Sequence, residues 1–183
     1  TAVTIGPSVT EIGKDAFYYC ISLASLTISK SVKTIGKSAF ASCSSLVYVT
    51  IPDSVTSIGY KAFDGCSSLE YVTIGDSVET IGESAFYNCI NLASVTIPNS
   101  VKTIGNYAFY YCTRLAYIRI GKLVETIGEE AFYEINSSNS DEANIRISQN
   151  VLTNLNTKYS TTLSYNTEQF FFSGATKVTL NVI

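Results

Sequence analysis

The side chains most able to do chemistry in this chain are five cysteines, and they share one spacing. Cys20, Cys43, Cys66, Cys89 and Cys112 are each 23 residues apart. A thiolate can attack a carbonyl, ligate a metal or form half of a disulfide, but each use needs a partner. The chain contains no His, which removes Ser–His and Cys–His nucleophile pairs. One Cys per repeat is too sparse for a zinc ligand set, and no dense run of oxygen ligands suits calcium. The next step of the same spacing lands on Ile135, so the position reads as a small apolar slot facing a core. Reduced thiols packing as hydrophobes fit that slot. Neighbouring repeats would bring the thiols near bridging distance, so the spacing alone leaves a disulfide open. Glu70, Asp76, Glu79, Glu83, Glu129 and Glu130 occupy outward positions instead of converging as a catalytic carboxylate pair does, and they read as solvated charge. No glycine-rich phosphate loop occurs either. The sequence calls for no cofactor, and catalysis is not expected.

Recognition is the better-supported chemistry. Two outward columns vary between repeats while their neighbours stay fixed. One runs Ser25, Tyr48, Tyr71, Ser94, Tyr117, Asn144; the other runs Thr4, Thr27, Thr50, Thr73, Thr96, Arg119, Arg146. Tyr and Arg are the residues that most often anchor interfaces, because they bury much area and still hydrogen-bond. Tyr48, Tyr71, Tyr117, Arg119 and Arg146 are therefore the candidate binding residues, with Tyr also able to stack on a sugar ring. The plainer reading is cross-strand packing that only stiffens a sheet, with Thr present for its strand propensity. A second aromatic set, Tyr18, Tyr19, Tyr87, Tyr110, Tyr111 and Tyr133, follows the phenylalanines and is expected to be partly buried between repeats.

The elements that hold these side chains follow from the period. Ser54-Val55, Ile58-Gly59, Ala62-Phe63, Cys66 and Leu69 recur 23 residues on as Ser77-Val78, Ile81-Gly82, Ala85-Phe86, Cys89 and Leu92. The phenylalanine column runs Phe17, Phe40, Phe63, Phe86, Phe109, Phe132 without an insertion. A fixed period of this size marks a solenoid, in which no repeat can bury its apolar residues alone. In Leu46-Val47-Tyr48-Val49-Thr50-Ile51 the alternation points Leu46, Val49 and Ile51 inward and Tyr48 and Thr50 outward, which predicts a short strand. Successive strands should pair in parallel. A corner at Gly59 and its equivalents is expected to need a backbone angle that side chains resist. Lys61 to Cys66 suits a single helical turn, with Ala62 where the coils press together and Phe63 in the core.

The pattern Ser-Val-x-x-Ile-Gly-x-x-Ala-Phe-x-x-Cys-x-x-Leu, followed by Val-Thr-Ile-Pro, resembles the BspA-like leucine-rich repeat family from about Val3 to Phe132. The resemblance implies a leucine-rich-repeat solenoid: an open right-handed coil with a parallel concave β-sheet and short helical turns on the other side. It further implies a cell-surface or secreted protein of bacteria or protists, tied to adhesion, with an extracellular or host protein or a glycan as partner. The family supplies no catalytic residues.

Residues 1–132 are expected to form six regular repeats, and residues 133–183 a degenerate last repeat and cap, with the start of a separate domain as the competing reading. Ile145-Arg146-Ile147 should restore the strand after a polar loop at 136–142. Phe170-Phe171-Phe172 and Lys177 to Ile183 should supply a truncated coil and a final strand. Asn136-Ser137-Ser138 has the form of a glycosylation sequon and is read as accidental. At the other end Val3–Ile5 forms a strand edge without an evident cap, which could pair with another copy. The alternative role is thus a structural spacer or a unit that stacks end to end.

Bulk properties agree with a single repeat domain. The 183 residues are 46% hydrophobic and 15% charged, with a net charge of −3 that argues against a nucleic-acid partner. No apolar run is long enough for a membrane span. Without Met the chain is expected to be a mature product or an excised piece, with any export signal outside it.

Overall fold

The computed structural model describes residues 1–136, 143–148 and 178–182. The chain winds as a parallel-strand solenoid. Each regular coil contributes one strand of three or four residues to a first ladder and a two-residue strand to a second. The first set is β1 (Ala2–Thr4), β3 (Ser25–Thr27), β5 (Tyr48–Thr50), β7 (Tyr71–Thr73), β9 (Ser94–Ile97) and β11 (Tyr117–Ile120). It continues through β13 (Ala143–Ile147) and β14 (Val178–Val182). The second set is β2 (Glu11–Ile12), β4 (Thr34–Ile35), β6 (Ser57–Ile58), β8 (Thr80–Ile81), β10 (Thr103–Ile104) and β12 (Thr126–Ile127).

All pairings are parallel, and the regular coils pair residue i with residue i+23, as in Val49 with Val72 and Ile58 with Ile81. The strands expected at Ile145-Arg146-Ile147 and at the chain end are present as β13 and β14, which pair with each other. Residues 137–142 and Phe170-Phe171-Phe172 lie outside the described residues. Asn136, the acceptor of the sequon, is fully buried.

The structure departs from the sequence expectation at three places. First, the side opposite the long strands carries its own six-stranded ladder, built from the dipeptide before each corner glycine, Glu-Ile in the first coil and Thr-Ile or Ser-Ile in the others. Second, the long-strand ladder is interrupted between β3 and β5, which adjoin without strand pairing. Those two coils are joined by β4 with β6 and by the stacked Phe40 and Phe63 rings. Third, no helix occurs among the described residues. The segment expected to make a helical turn is a run of overlapping tight turns: Ala62 N–H to the Gly59 carbonyl, Asp64 N–H to Lys61, and Cys66 N–H to Phe63. The intervening N–H groups of Lys61, Phe63 and Gly65 donate instead to Glu83, Ala85 and Tyr87 of the next coil. A helix would turn those donors inward along its own axis, whereas here they join coils. The alternation is reached by left-handed backbone at Lys61 (φ 54°) and Gly65 (φ 70°), repeated at Ser38, Ser42, Ser84 and Asn88.

The core is a set of parallel rows. Leu46, Val49, Ile51, Val55, Ile58, Ala62, Phe63 and Cys66 are all at most 1% exposed, and their equivalents extend each row. The phenylalanine rings stack with centroids 5.2–5.3 Å apart and planes within 11°. The ring separation follows the strand spacing of about 4.8 Å, which leaves the rings offset as aromatic quadrupoles prefer. The serine that precedes most of the core valines also has a reason: the Ser54 hydroxyl donates to the Val32 carbonyl at 2.6 Å, and Ser100 to Val78 at 2.7 Å.

The corner glycine is not held by its backbone angle, since Gly65 is the one glycine with positive φ among the described residues. A Cβ on Gly59 would sit 2.7 Å from the Gly36 carbonyl carbon and 2.8 Å from the Ile35 oxygen. Close approach of successive coils is what requires glycine there.

Candidate functional site

Period-2 alternation places the candidate residues on the outer face of the long-strand ladder. Val49, Val72, Val95 and Ile118 fill the core from the middle of each strand, and the flanking residues point away. Tyr48, Tyr71 and Tyr117 are 52%, 58% and 65% exposed, and Arg119 and Arg146 are exposed as well. All five share one face.

Strand pairing divides them into two groups. Tyr48 and Tyr71 are direct register partners on β5 and β7. Tyr71 then faces Ser94 on β9, and Ser94 faces Tyr117 on β11, so a small residue separates the tyrosine pair from the third ring. Arg119 is the register partner of Arg146. Tyr117, Arg119 and Arg146 line a hollow of about 200 Å³ together with Ser94 and Thr96. Ser94 and Thr96 were not singled out by residue type. Their signal is positional, for they occupy the columns of Tyr71 and Thr73 with shorter side chains beside longer ones.

The second tyrosine set is split by the structure. Tyr87, Tyr110 and Tyr133 are partly buried and stack continuously, at 5.0 Å and 4.7 Å between centroids. Tyr107 meets Tyr110 edge-on at 5.6 Å. Tyr18, Tyr19 and Tyr111 are instead exposed. Burial, with help from Glu130 and the adjoining tyrosines, pushes the Tyr110 phenol up to about 12. The Tyr107 phenol is raised mainly by the Glu129 carboxylate. This cluster packs the turn edge of the solenoid, away from the strand face.

The cysteine column packs as expected in four coils and differs in the first. Cys43, Cys66, Cys89 and Cys112 are buried, whereas Cys20 is exposed, and all five are free thiols. Cys20 escapes burial because the first coil has no earlier coil over it among the described residues. The buried thiols are more than hydrophobes: Cys66 donates to the Phe40 carbonyl and Cys89 to that of Phe63, at 3.2 and 3.3 Å. Burial pushes the Cys43 thiol up to about 11 and raises those of Cys66, Cys89 and Cys112 as well. A thiol so disfavoured as thiolate is a poor nucleophile and metal ligand. Among the described residues no group of three or more His, Cys, Asp or Glu could hold a metal ion, and no helix is long and apolar enough to cross a membrane.

The face therefore offers flat aromatic area, paired guanidinium groups and hydroxyls on a ladder of paired strands, with no nucleophile and base brought together on it among the described residues. Rigid display of such groups suits binding, because little side-chain and backbone freedom remains to be lost.

Comparison with known proteins agrees with the repeat architecture. The sequence profile described as BspA type leucine rich repeat region (6 copies) matches residues 1–92 and 35–159. The crystal structure of a leucine-rich repeat protein of T. pallidum (TpLRR) is similar, with a TM-score of 0.67 and 26% identity over 95% of this chain and 86% of that one. A leucine-rich repeat protein from Bacteroides ovatus shares the fold at a TM-score of 0.60 and 24% identity, over 99% of this chain and 61% of that one. No curated protein sequence matches. With the profile spanning most of the chain and the coil geometry in agreement, the chain belongs to the BspA type leucine-rich repeat family.

Proposed function

We propose that this chain is a non-catalytic binding module, displayed at a cell surface or secreted, that engages an extracellular or host protein or a glycan through its long-strand face. The observation that carries this reading is the placement of Tyr48, Tyr71, Tyr117, Arg119 and Arg146 on one exposed face, in register. The rows beneath that face are fixed by packing, so its outer columns are free to vary without disturbing the core. Family membership supports the surface location and the adhesive role. The experiment is a binding screen of extracellular proteins and glycans with the parent chain and with Tyr48→Ala/Tyr71→Ala. Both tyrosines are solvent-facing, so the double variant should fold as the parent does and lose at least about tenfold in affinity for a captured ligand. Unchanged affinity would remove the tyrosine pair from the site.

A second reading, self-assembly or a spacer role, would use β1, which pairs on one side with β3 and has no second partner strand among the described residues. Ile5 N–H donates to the Thr27 carbonyl, which leaves the Thr4 N–H on the side away from β3. Beside it lies an apolar hollow of about 340 Å³ lined by Val3, Phe17, Cys20 and Leu23. Light scattering over a ~100-fold concentration range separates the readings. A mass that climbs with concentration, and stays low for Thr4→Pro, makes Val3–Ile5 the assembly edge. A constant monomer mass removes self-assembly and leaves the spacer role to the binding screen.

A further inference from the structure

Arg119 and Arg146 stand in a relation that the repeat itself does not require. They are register partners on adjacent parallel strands and point to the same solvent. Register partners on one face have their side-chain roots about 5 Å apart, and like charges so placed repel. The same column holds Thr50, Thr73 and Thr96 in earlier coils, which are uncharged and better strand formers. Neither guanidinium belongs to an ion pair among the described residues. The three ion pairs there are Lys14–Asp15, Lys61–Asp64 and Lys102–Glu79. Two adjacent forks of donors with no counter-charge among the described residues become favourable when an oxyanion sits between them and accepts from both.

The hollow beside them sets the size and character of what brings that oxyanion. It is about 200 Å³, with Tyr117 and the two arginines around it and the Ser94 and Thr96 side chains in its lining. A volume below the usual range of drug-sized pockets suits one ring with its substituents. A tyrosine face accepts the apolar face of a sugar, while hydroxyl side chains and guanidinium groups match ring hydroxyls and an acid. We propose that this hollow binds one acidic sugar residue, a pyranose bearing a carboxylate or a sulfate. Its ring lies against Tyr117 and its oxyanion between Arg119 and Arg146. The assignment rests on the strand-face reading above and narrows it to acidic glycans.

The test is calorimetric titration of the whole chain with five probes. They are a sulfated uronate hexasaccharide, an unsulfated uronate oligomer, a neutral glucan of equal length, inorganic sulfate and an oligo-glutamate peptide. The two charged sugars should bind, the neutral glucan should bind at least about tenfold more weakly, and affinity should fall as salt rises. The sulfated and unsulfated probes distinguish the two sources of the oxyanion. Arg119→Gln/Arg146→Gln should lose at least about tenfold for the charged sugars while melting no lower than the parent, because it removes an in-register repulsion. Tyr117→Ala should weaken the sugars and leave inorganic sulfate unchanged. Undiminished sugar binding by the arginine variant overturns the proposal, as does failure of both charged sugars to bind. Tighter binding of oligo-glutamate than of either sugar also overturns it and points to an acidic protein. If a ligand is lost with Tyr48→Ala/Tyr71→Ala but kept by the arginine variant, the acidic-sugar site falls and the strand-face reading stands. If neither variant affects any binding, both fall.

Discussion

The Cys66 thiol donates a hydrogen bond of 3.2 Å to the carbonyl of Phe40, one coil back, and the Cys43 N–H reaches the same oxygen at 3.2 Å. Cys43, Cys89 and Cys112 repeat the contact with Phe17, Phe63 and Phe86 at 3.3 Å. A thiol fills an apolar slot nearly as well as a small aliphatic group and also supplies a donor for a buried carbonyl.

Alkaline pH should therefore unfold the protein sooner than its surface charge suggests. The ordinary thiol value is 9.0, and in the fold Cys43 rises to about 11, with Cys66, Cys89 and Cys112 raised by burial too. A folded-state value above the unfolded one means that stability is intact below pH 9 and is lost as pH climbs through that window toward 11. The Tyr110 phenol, raised from 10.0 to about 12, adds the same trend above pH 10. Thermal midpoints by circular dichroism between about pH 7 and pH 11 should be flat and then decline. Replacing Cys89 by Val should make the decline shallower. An equal decline with Val in place would show that the Cys89 thiol does not contribute to it.

Loss of one ring in the stack should act on both neighbours. Phe63 is fully buried and stacks on Phe40 and on Phe86, both at 5.3 Å. Phe63→Ala should cost about 3–5 kcal/mol, the usual range for a buried aromatic. Because coils couple only through adjacent coils, it should also split urea unfolding into two transitions. A single transition displaced by less than about 1 kcal/mol would show that the coils share the load more widely than nearest-neighbour coupling allows.

Two glycines of one column should respond in opposite ways. A Cβ at Gly59 would lie 2.7 Å from the Gly36 backbone, while a Cβ at Gly13 would have nothing within 4 Å. Gly59→Ala should force two coils apart and destabilise by about 1–3 kcal/mol, the range for overpacking. Gly13→Ala should be neutral or slightly stabilising through the unfolded chain. Equal effects in denaturant titrations would count against coil approach as the reason for the glycine.

The period made the rows of the core legible in the sequence, because each row is one residue type sampled every 23 positions. Leu46, Phe63 and Cys66 lie inward as expected, and so do their equivalents from Phe40 and Cys43 onward; only the first coil departs, with Cys20 exposed and Phe17 partly buried. The strand face was legible for the same reason, down to the pairing of Tyr48 with Tyr71. What escaped the sequence depends on contacts between coils. The second ladder rests on two-residue strands such as Ser57–Ile58, too short for period-2 alternation to show. The helical turn expected at Lys61 to Cys66 was favoured by local spacing, but its donors are claimed by the next coil. The Arg119–Arg146 hollow depends on which outward residues are short, and that emerges only when the columns are laid side by side.

Strict repetition of the inter-coil contacts bears on how such chains diversify. Removing residues 55–77, one period, would join Ser54 to Val78 and set Phe40 on Phe86 without altering any core row. The same deletion would take out Tyr71 and place Tyr48 beside Ser94. Unequal recombination by whole periods can thus rewrite the order of outward residues while every inward row stays intact, and copy number alone becomes a source of new specificity.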